Sequence, residues 1–384
     1  MMTSITKEEI HKLLNPMKVI GLGGNPQLNE KVASTLGVPL IETTVHHFSD
    51  GEIQVNVAES VRGCDVFVIQ SIQDPVNENF MELEIVLDAL HRASAHTVNC
   101  VIPYLAYSRS DTKTRSREPI TAKLIANLLQ LTGIDRVLTI DLHASQIQGF
   151  YNVPVDHLHA IPLLAQYFLD NGIAAKDDDD VVVVSPDHSG TKLARVFGQY
   201  FNAPIAIVDQ RGARYDDSVH DMIGDVKGKK CIIVDDLIDT GTRLASSTRS
   251  VFAAGATKVY VAATHALLSQ DAIKILNGLP LEQIVVTDTI KHEKYSQPFS
   301  VSICTAAGCS QSSSFMSLYS FTLPRTMPLA KYFCRKGYTH STGTMARKIM
   351  AVVKPSCVCF SSRSSIMELE DRFSFVSSMT MDFR

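Results

Sequence analysis

Runs of consecutive apolar residues recur along the first 290 positions, and between them lie segments whose apolar residues return every three or four places. Short unbroken runs predict strands buried on both faces, whereas the longer spacing predicts helices with one apolar stripe. Strands are expected at 18–22, 66–70, 97–102 and 136–140, with helices at 27–36, 80–94 and 120–131 between them. In the helix at 80–94, Met81, Leu83, Glu84, Val86, Leu87 and Leu90 lie along the stripe at helical spacing. The pattern then begins again: helix 161–170, strand 181–184, helix 189–201, strands 204–208 and 231–234, helix 243–254, strand 258–264, helix 268–276 and strand 283–286. Such alternation predicts an α/β fold with two open, mostly parallel sheets flanked by helices. Ligands in sheets of this kind bind beyond the carboxyl ends of the strands.

Those strand ends carry the polar chemistry. The apolar run 231–234 leads into Asp235 and Asp236, then into Asp239, Thr240, Gly241 and Thr242, and then into a helix. The start of a helix presents unpaired N–H groups at the positive end of its dipole, which suits a phosphate. Threonine hydroxyls add donors, and glycine lets the backbone approach closely. Adjacent carboxylates accept hydrogen bonds from sugar hydroxyls or hold Mg2+ through water. Together these groups describe a phosphoribosyl site; acids that merely cap the next helix are the plainer alternative. Beyond 97–102 come Tyr104, Tyr107, Arg109, Lys113, Arg115 and Arg117, either a polyphosphate contact through the arginine fork or a solvated basic loop. Beyond 136–140 come Asp141 and His143, a carboxylate and imidazole suited to a divalent ion beside a phosphate. Beyond 181–184 come Asp187 and, at a helix start, Gly190. The acidic run at 177–180 reads as a solvated turn and not as a metal site.

Composition changes this picture mainly at one end. The chain has 384 residues, 45% hydrophobic and 20% charged, with a net charge of −4, which describes a globular protein with room for two domains and an extra piece. Residues 1–290 hold 24 Lys/Arg against 35 Asp/Glu, whereas 291–384 hold 12 against 5. The acidic main part gives no reason to expect a nucleic-acid partner. No window is apolar for long enough to cross a membrane, and the acids near the N-terminus speak against a secretory signal. A cytoplasmic protein is expected, with Cys64, Cys100 and Cys231 as reduced core thiols. The other five of the eight cysteines fall in 291–384 among serine clusters. The spacings of Cys304 with Cys309 and of Cys357 with Cys359 fit no zinc finger, and the tail is expected to be disordered.

Five segments are long enough to be specific: FSDGEIQVNVAESVRGCDVFVIQS, NENFMELEIVLDALHRASA, SREPITAKLIANLLQ, DLHASQIQGFYNVPVDHL and VVVVSPDHSG. In this order they resemble the ribose-phosphate pyrophosphokinase family, also called phosphoribosyl pyrophosphate synthetases, over about residues 17–290. The resemblance implies two type I phosphoribosyltransferase-like domains, at 17–160 and 161–290, followed by a tail at 291–384 outside the family pattern. It implies transfer of the diphosphoryl group of ATP to ribose 5-phosphate, with Mg2+ as cofactor. It also implies dimers that assemble into a hexamer, alone or with related subunits. Carried over by position, Phe48, Asp50 and Glu52 match an ATP-purine loop reaching across from a neighbouring subunit, and Arg109 and Asp111 match further ATP contacts. His143 and Asp187 match metal ligands. Asp235, Asp236, Asp239, Thr240, Gly241 and Thr242 match the ribose 5-phosphate loop. A metal-binding His143 must be neutral, so activity should fall below about pH 6.

The chain also departs from the family pattern. The family places a lysine, and an arginine two residues on, in a loop over the transferring phosphates; here Gln210 and Gly212 stand at those places. Arg211 or Arg214 is left to supply the charge, and Arg211 is the catalytic candidate. Loss of one preorganised donor costs about 10²–10³ in rate. Ser110 and Ser189 replace a glutamine and a glycine, and the DTGT loop is one residue shorter than the family form. Two alternatives therefore stay open beside an active enzyme: a non-catalytic regulatory subunit, and a nucleobase phosphoribosyltransferase.

Overall fold

Valine and isoleucine dominate the short apolar runs, and β-branched side chains pack well on a pleated surface buried from both sides. A computed structural model of the chain describes residues 16–209 and 220–291 and the backbone of 301–304. In the first lobe the runs form β1 (Met17–Gly21), β4 (Asp65–Ile69), β5 (Thr97–Ile102), β6 (Arg136–Ile140) and β7 (Val155–Leu158), joined in that order into one sheet. Every pairing in it is parallel. Helices α1 (Pro26–Leu36), α2 (Val76–Arg92) and α3 (Thr121–Leu131) provide crossovers. Between α1 and β4, β2 (Thr43–His47) and β3 (Ile53–Val57) form a separate antiparallel hairpin. The periodicity of apolar runs does not predict it, because its residues alternate between half-buried and exposed.

After α4 (Ile161–Asp170) the second lobe builds β8 (Val181–Ser185), β9 (Ile205–Asp209), β10 (Asp221–Ile223), β11 (Lys230–Ile238), β12 (Lys258–Ala266), β13 (Gln283–Thr287) and β14 (Val301–Cys304). Their order in the sheet is β10-β9-β8-β11-β12-β13-β14, antiparallel only at β10. Helices α5 (Thr191–Gly198), α6 (Thr242–Ala253) and α7 (Ala272–Asn277) connect the strands. Three expectations need correction. β11 runs four residues beyond the expected end at 234, because β12 continues beside it as far as Ala266. α7 begins at Ala272 and not at 268, since Leu268 and Gln270 hold left-handed backbone with φ of 50° and 54°, which ends helical pairing. β14 pairs with β13 beyond residue 290, so the sheet takes in residues first assigned to the tail. The acids at 177–180 pair with Lys229 and Lys230, as a surface turn would.

The two lobes share one apolar layer. Val19, Val101 and Ile140 from the first sheet, Phe168 from α4, and Val183, Ile232 and Val285 from the second all belong to a single buried cluster. Cys64, Cys100 and Cys231 are free and buried, as expected. Among the described residues no helix is long and apolar enough to cross a membrane.

Candidate active site

β11 is the central strand of its sheet and its register fixes the site. Ile233 pairs with Val184 of β8 and Asp235 with Ala263 of β12, so Asp235 comes level with the end of β8, where Asp187 follows. Arg243, one residue into α6, reaches back between them: Nη1 donates to Asp187 at 3.0 Å and Nη2 to Asp235 at 2.5 Å, with Asp236 at 3.9 Å. Three carboxylates thus surround one guanidinium. Burial holds Asp235 well above the usual carboxylate range against the pull of Arg243, and neighbouring Asp236 and Asp187 add to the rise. Asp187 is brought down despite its burial by hydrogen bonds from the Ser189 hydroxyl and the Gly190 N–H and by Arg243.

The first lobe meets this group across a cleft open to solvent and lined by Tyr104, Arg109, His143, Asp236, Leu237 and His265. His143 Nδ1 lies 2.6 Å from Asp236 Oδ2. Burial works against a charged Asp236, but the hydrogen bond with His143 prevails and brings it down to about 2. The same bond raises the His143 imidazole, with burial opposing. Arg109 Nη1 donates to Asp239 Oδ2 at 2.7 Å, and the Ser269 hydroxyl donates to the other oxygen. Asp141 does not join His143. Its Oδ2 accepts from Thr264 Oγ1 at 2.7 Å and from the Ala160 N–H at 3.0 Å. Beside it, His265 is buried with Nε2 on the carbonyls of Ile140 and Asp141 at 3.1 and 3.2 Å. These bonds tie the end of β6 to β12 across the lobes.

The structure places Thr240, Gly241 and Thr242 at the start of α6, as the sequence predicts. Gly241 has φ of 77°, left-handed backbone that suits glycine, and its carbonyl accepts the Ala245 N–H at 2.8 Å. Among the described residues no side chain caps this end, which leaves its first amides to an anion. Phe48, Asp50 and Glu52 form the tip of the β2–β3 hairpin, where Asp50 accepts the Glu52 N–H at 3.1 Å. Phe48 is exposed. No hydrogen bond or ion pair between described residues joins this tip to the cleft. Asp111 accepts from Gln146 at 3.1 Å and so lies beside the turn that follows His143. The expected metal ligands His143 and Asp187 are not brought into direct contact; Asp236 and Arg243 link them in series. Arg243, Thr264, Ser269 and His265 escaped the sequence reading. Only Arg243 had a signal, a cation one residue beyond the expected phosphate loop. Gln210, Arg211, Gly212, Arg214 and residues 305–384 lie outside the described residues.

The donor set fits Mg2+. Asp187, Asp235 and Asp236 would supply hard oxygen ligands, gathered around Arg243. A family model for the N-terminal domain of ribose phosphate pyrophosphokinase matches residues 17–133, and one for the phosphoribosyl synthetase-associated domain matches 180–304. A putative ribose-phosphate pyrophosphokinase 2 of Lactiplantibacillus plantarum is 55% identical over 276 residues, 72% of this chain and 85% of the relative. Ribose-phosphate pyrophosphokinase 1 of Streptococcus agalactiae is 50% identical over 277 residues, 71% and 85% of the two chains. The crystal structure of phosphoribosylpyrophosphate synthetase from Mycobacterium smegmatis matches with a TM-score of 0.71 and 37% identity, covering 76% of this chain and 94% of that one. The chain belongs to the ribose-phosphate pyrophosphokinase family.

Proposed function

We propose that the chain transfers the β,γ-diphosphoryl group of ATP to the anomeric hydroxyl of ribose 5-phosphate, giving phosphoribosyl pyrophosphate and AMP. One observation carries this reading: Arg109 with Asp239 and His143 with Asp236 bring a basic segment of the first lobe onto the acidic loop of the second, at 2.7 and 2.6 Å. The amides at the start of α6 and the hydroxyls of Thr240 and Thr242 take the 5-phosphate, with Gly241 allowing its close approach. Asp235 and Asp236 accept from the ring hydroxyls. As the sugar enters beside Asp239, Arg109 is released to the polyphosphate of ATP, next to Asp111. Phe48, Asp50 and Glu52 of a neighbouring copy hold the purine. The anomeric oxygen then bonds to the β-phosphorus, and the bond from that phosphorus to the α,β-bridging oxygen breaks, its electron pair leaving on AMP. This chemistry asks the protein mainly for positioning and for cancellation of charge.

With Nδ1–H directed at Asp236, His143 Nε2 keeps its lone pair for a metal ion or for the proton the hydroxyl gives up. Asp187, Asp235, Asp236 and His143 would hold Mg2+, which neutralises charge on the phosphoryl oxygens when bound. Arg211 is assigned to the same charge. Assembly as dimers building a hexamer, the division at 160, and residence in the cytosol belong to this proposal.

A second reading, a regulatory subunit that acts on active relatives, is favoured by Gln210 and Gly212 at the places of the family's cations. An AMP-release assay with ATP, ribose 5-phosphate and Mg2+ separates the two. Release of AMP that falls about 10²–10³-fold in Arg109→Ala supports the enzyme. Silence in the wild type, with rescue by Gln210→Lys, marks a weakened catalyst; silence in both overturns the enzyme reading.

A further inference from the structure

β7 carries His157, and His159 follows its last residue; positions two apart on an extended chain share a face. Their rings lie 4.4 Å apart between centroids. β6 pairs with β7 so that Ile140 stands beside Leu158, and Asp141 comes next. Asp141 Oδ1 lies 2.9 Å from His159 Nδ1. One ligand atom from each of Asp141, His157 and His159 lies within 4.8 Å of the other two, a closeness that no other group of three metal-capable side chains reaches among the described residues.

We propose that Asp141, His157 and His159 form a site for a divalent ion of the zinc class, separate from the oxygen-rich group around Arg243. Two imidazoles and one carboxylate are a donor set for borderline ions such as Zn2+ or Co2+, whereas Mg2+ keeps to oxygen. The carboxylate is already oriented: Oδ2 is held by Thr264 Oγ1 and the Ala160 N–H, which leaves Oδ1 for the cluster. Such outer partners fix first ligands in metal sites. Asp141 also holds left-handed backbone with φ of 37°, uncommon for a residue with a side chain, so its placement is imposed by the surroundings. His159 is the exposed member and gives the ion its way in. Ligand atoms around a tetrahedral ion stand roughly 3.3 Å apart, so the imidazoles need to move by about an ångström.

Binding has a definite structural consequence. His157 Nε2 accepts the Leu142 N–H at 2.9 Å, and a neutral imidazole has one lone pair. Ligation through either nitrogen takes that lone pair from Leu142, the residue before His143. The proton on His159 Nδ1 moves to Nε2 as the ion takes its place beside Asp141. The site stands whether or not the reaction proposed above is correct.

The test is titration of the full metal-free chain with Co2+ in excess Mg2+, followed by visible absorption. The expected result is one equivalent with the weak d–d bands of nitrogen and oxygen ligands, absent from the His157→Asn/His159→Asn variant. Cobalt on cysteines declares itself by an intense sulfur-to-metal charge-transfer band and does not count. His159→Asn alone should weaken binding at least about tenfold, and this exposed change decides the matter if the double variant fails to fold by circular dichroism. Equal stoichiometry and spectra for wild type and variants overturn the site, as does a spectrum of sulfur type only.

Discussion

Asp236 and His143 hold each other in the charged form, and the reaction needs the imidazole neutral. The hydrogen bond to Asp236 raises His143 above 6.5, so its lone pair is lost at a higher pH than the value of about 6 that sequence alone suggests. The rate of AMP formation should therefore fall with acid from a point above pH 6.5. Asp236→Asn should slow the reaction and move that limb to lower pH in a pH–rate profile; an unmoved limb contradicts the pairing. Glu84, on α2, presents the opposite case. Burial alone pushes its carboxyl up to about 7, and among the described residues its buried Oε1 has no hydrogen-bond partner. Between pH 4.5 and 7 the unfolded chain loses a proton that the folded one keeps, so stability declines as pH rises through this window and levels off above it. Glu84→Gln should remove that decline and add about 1–2 kcal/mol at pH 8, a figure discounted for partial exposure. Denaturant melts at pH 5 and pH 8 check it, and an equal effect at both pH values speaks against a buried charge. Neither case was legible in the sequence: Asp236 was visible as a candidate, but its partner lies 93 positions away.

At the scale of elements, β11 and α6 make the site by delivering Asp235 and Arg243 to the same point from opposite ends of one short loop. Arg243→Met leaves Asp187 and Asp235 without their cation and should cost roughly 3–5 kcal/mol in chelator. Added Mg2+ should restore much of it, because the ion then holds the same oxygens; a melting temperature indifferent to Mg2+ contradicts the placement of the metal. The sequence was a good guide to most of these elements, since buried parallel strands read as unbroken apolar runs. It missed β2 and β3 because an exposed hairpin leaves only weak alternation. It ended β11 too early because Asp235 and Asp236 look like a terminus, whereas backbone pairing to β12 carries the strand through them. The phosphate loop was legible because its chemistry is local: acids, threonines and a glycine within eight positions.

At the scale of the whole molecule, the lobes are bound by a common apolar layer and by bonds from Thr264, His265 and Ser71 across the boundary. The sequence divides at 160, yet α4, which follows that point, packs into the shared layer. Phe168 is fully buried there, in edge contact with Phe197 and Tyr260 at centroid distances of 5.9 and 6.3 Å. Phe168→Ala should cost about 3–5 kcal/mol and lower both lobes in one calorimetric transition; a lobe that melts separately at its former temperature contradicts the shared core. Holding the lobes together is what lets Arg109 and His143 face Asp239 and Asp236, and the account rests on that cleft handling ATP and ribose 5-phosphate together. Phosphorus NMR of the full chain with both compounds and Mg2+ tests it most directly. The account predicts resonances of AMP and of a diphosphate on the anomeric carbon, growing in equal amounts. Formation of ADP, or unchanged ATP with folded protein carrying Gln210→Lys, would contradict it.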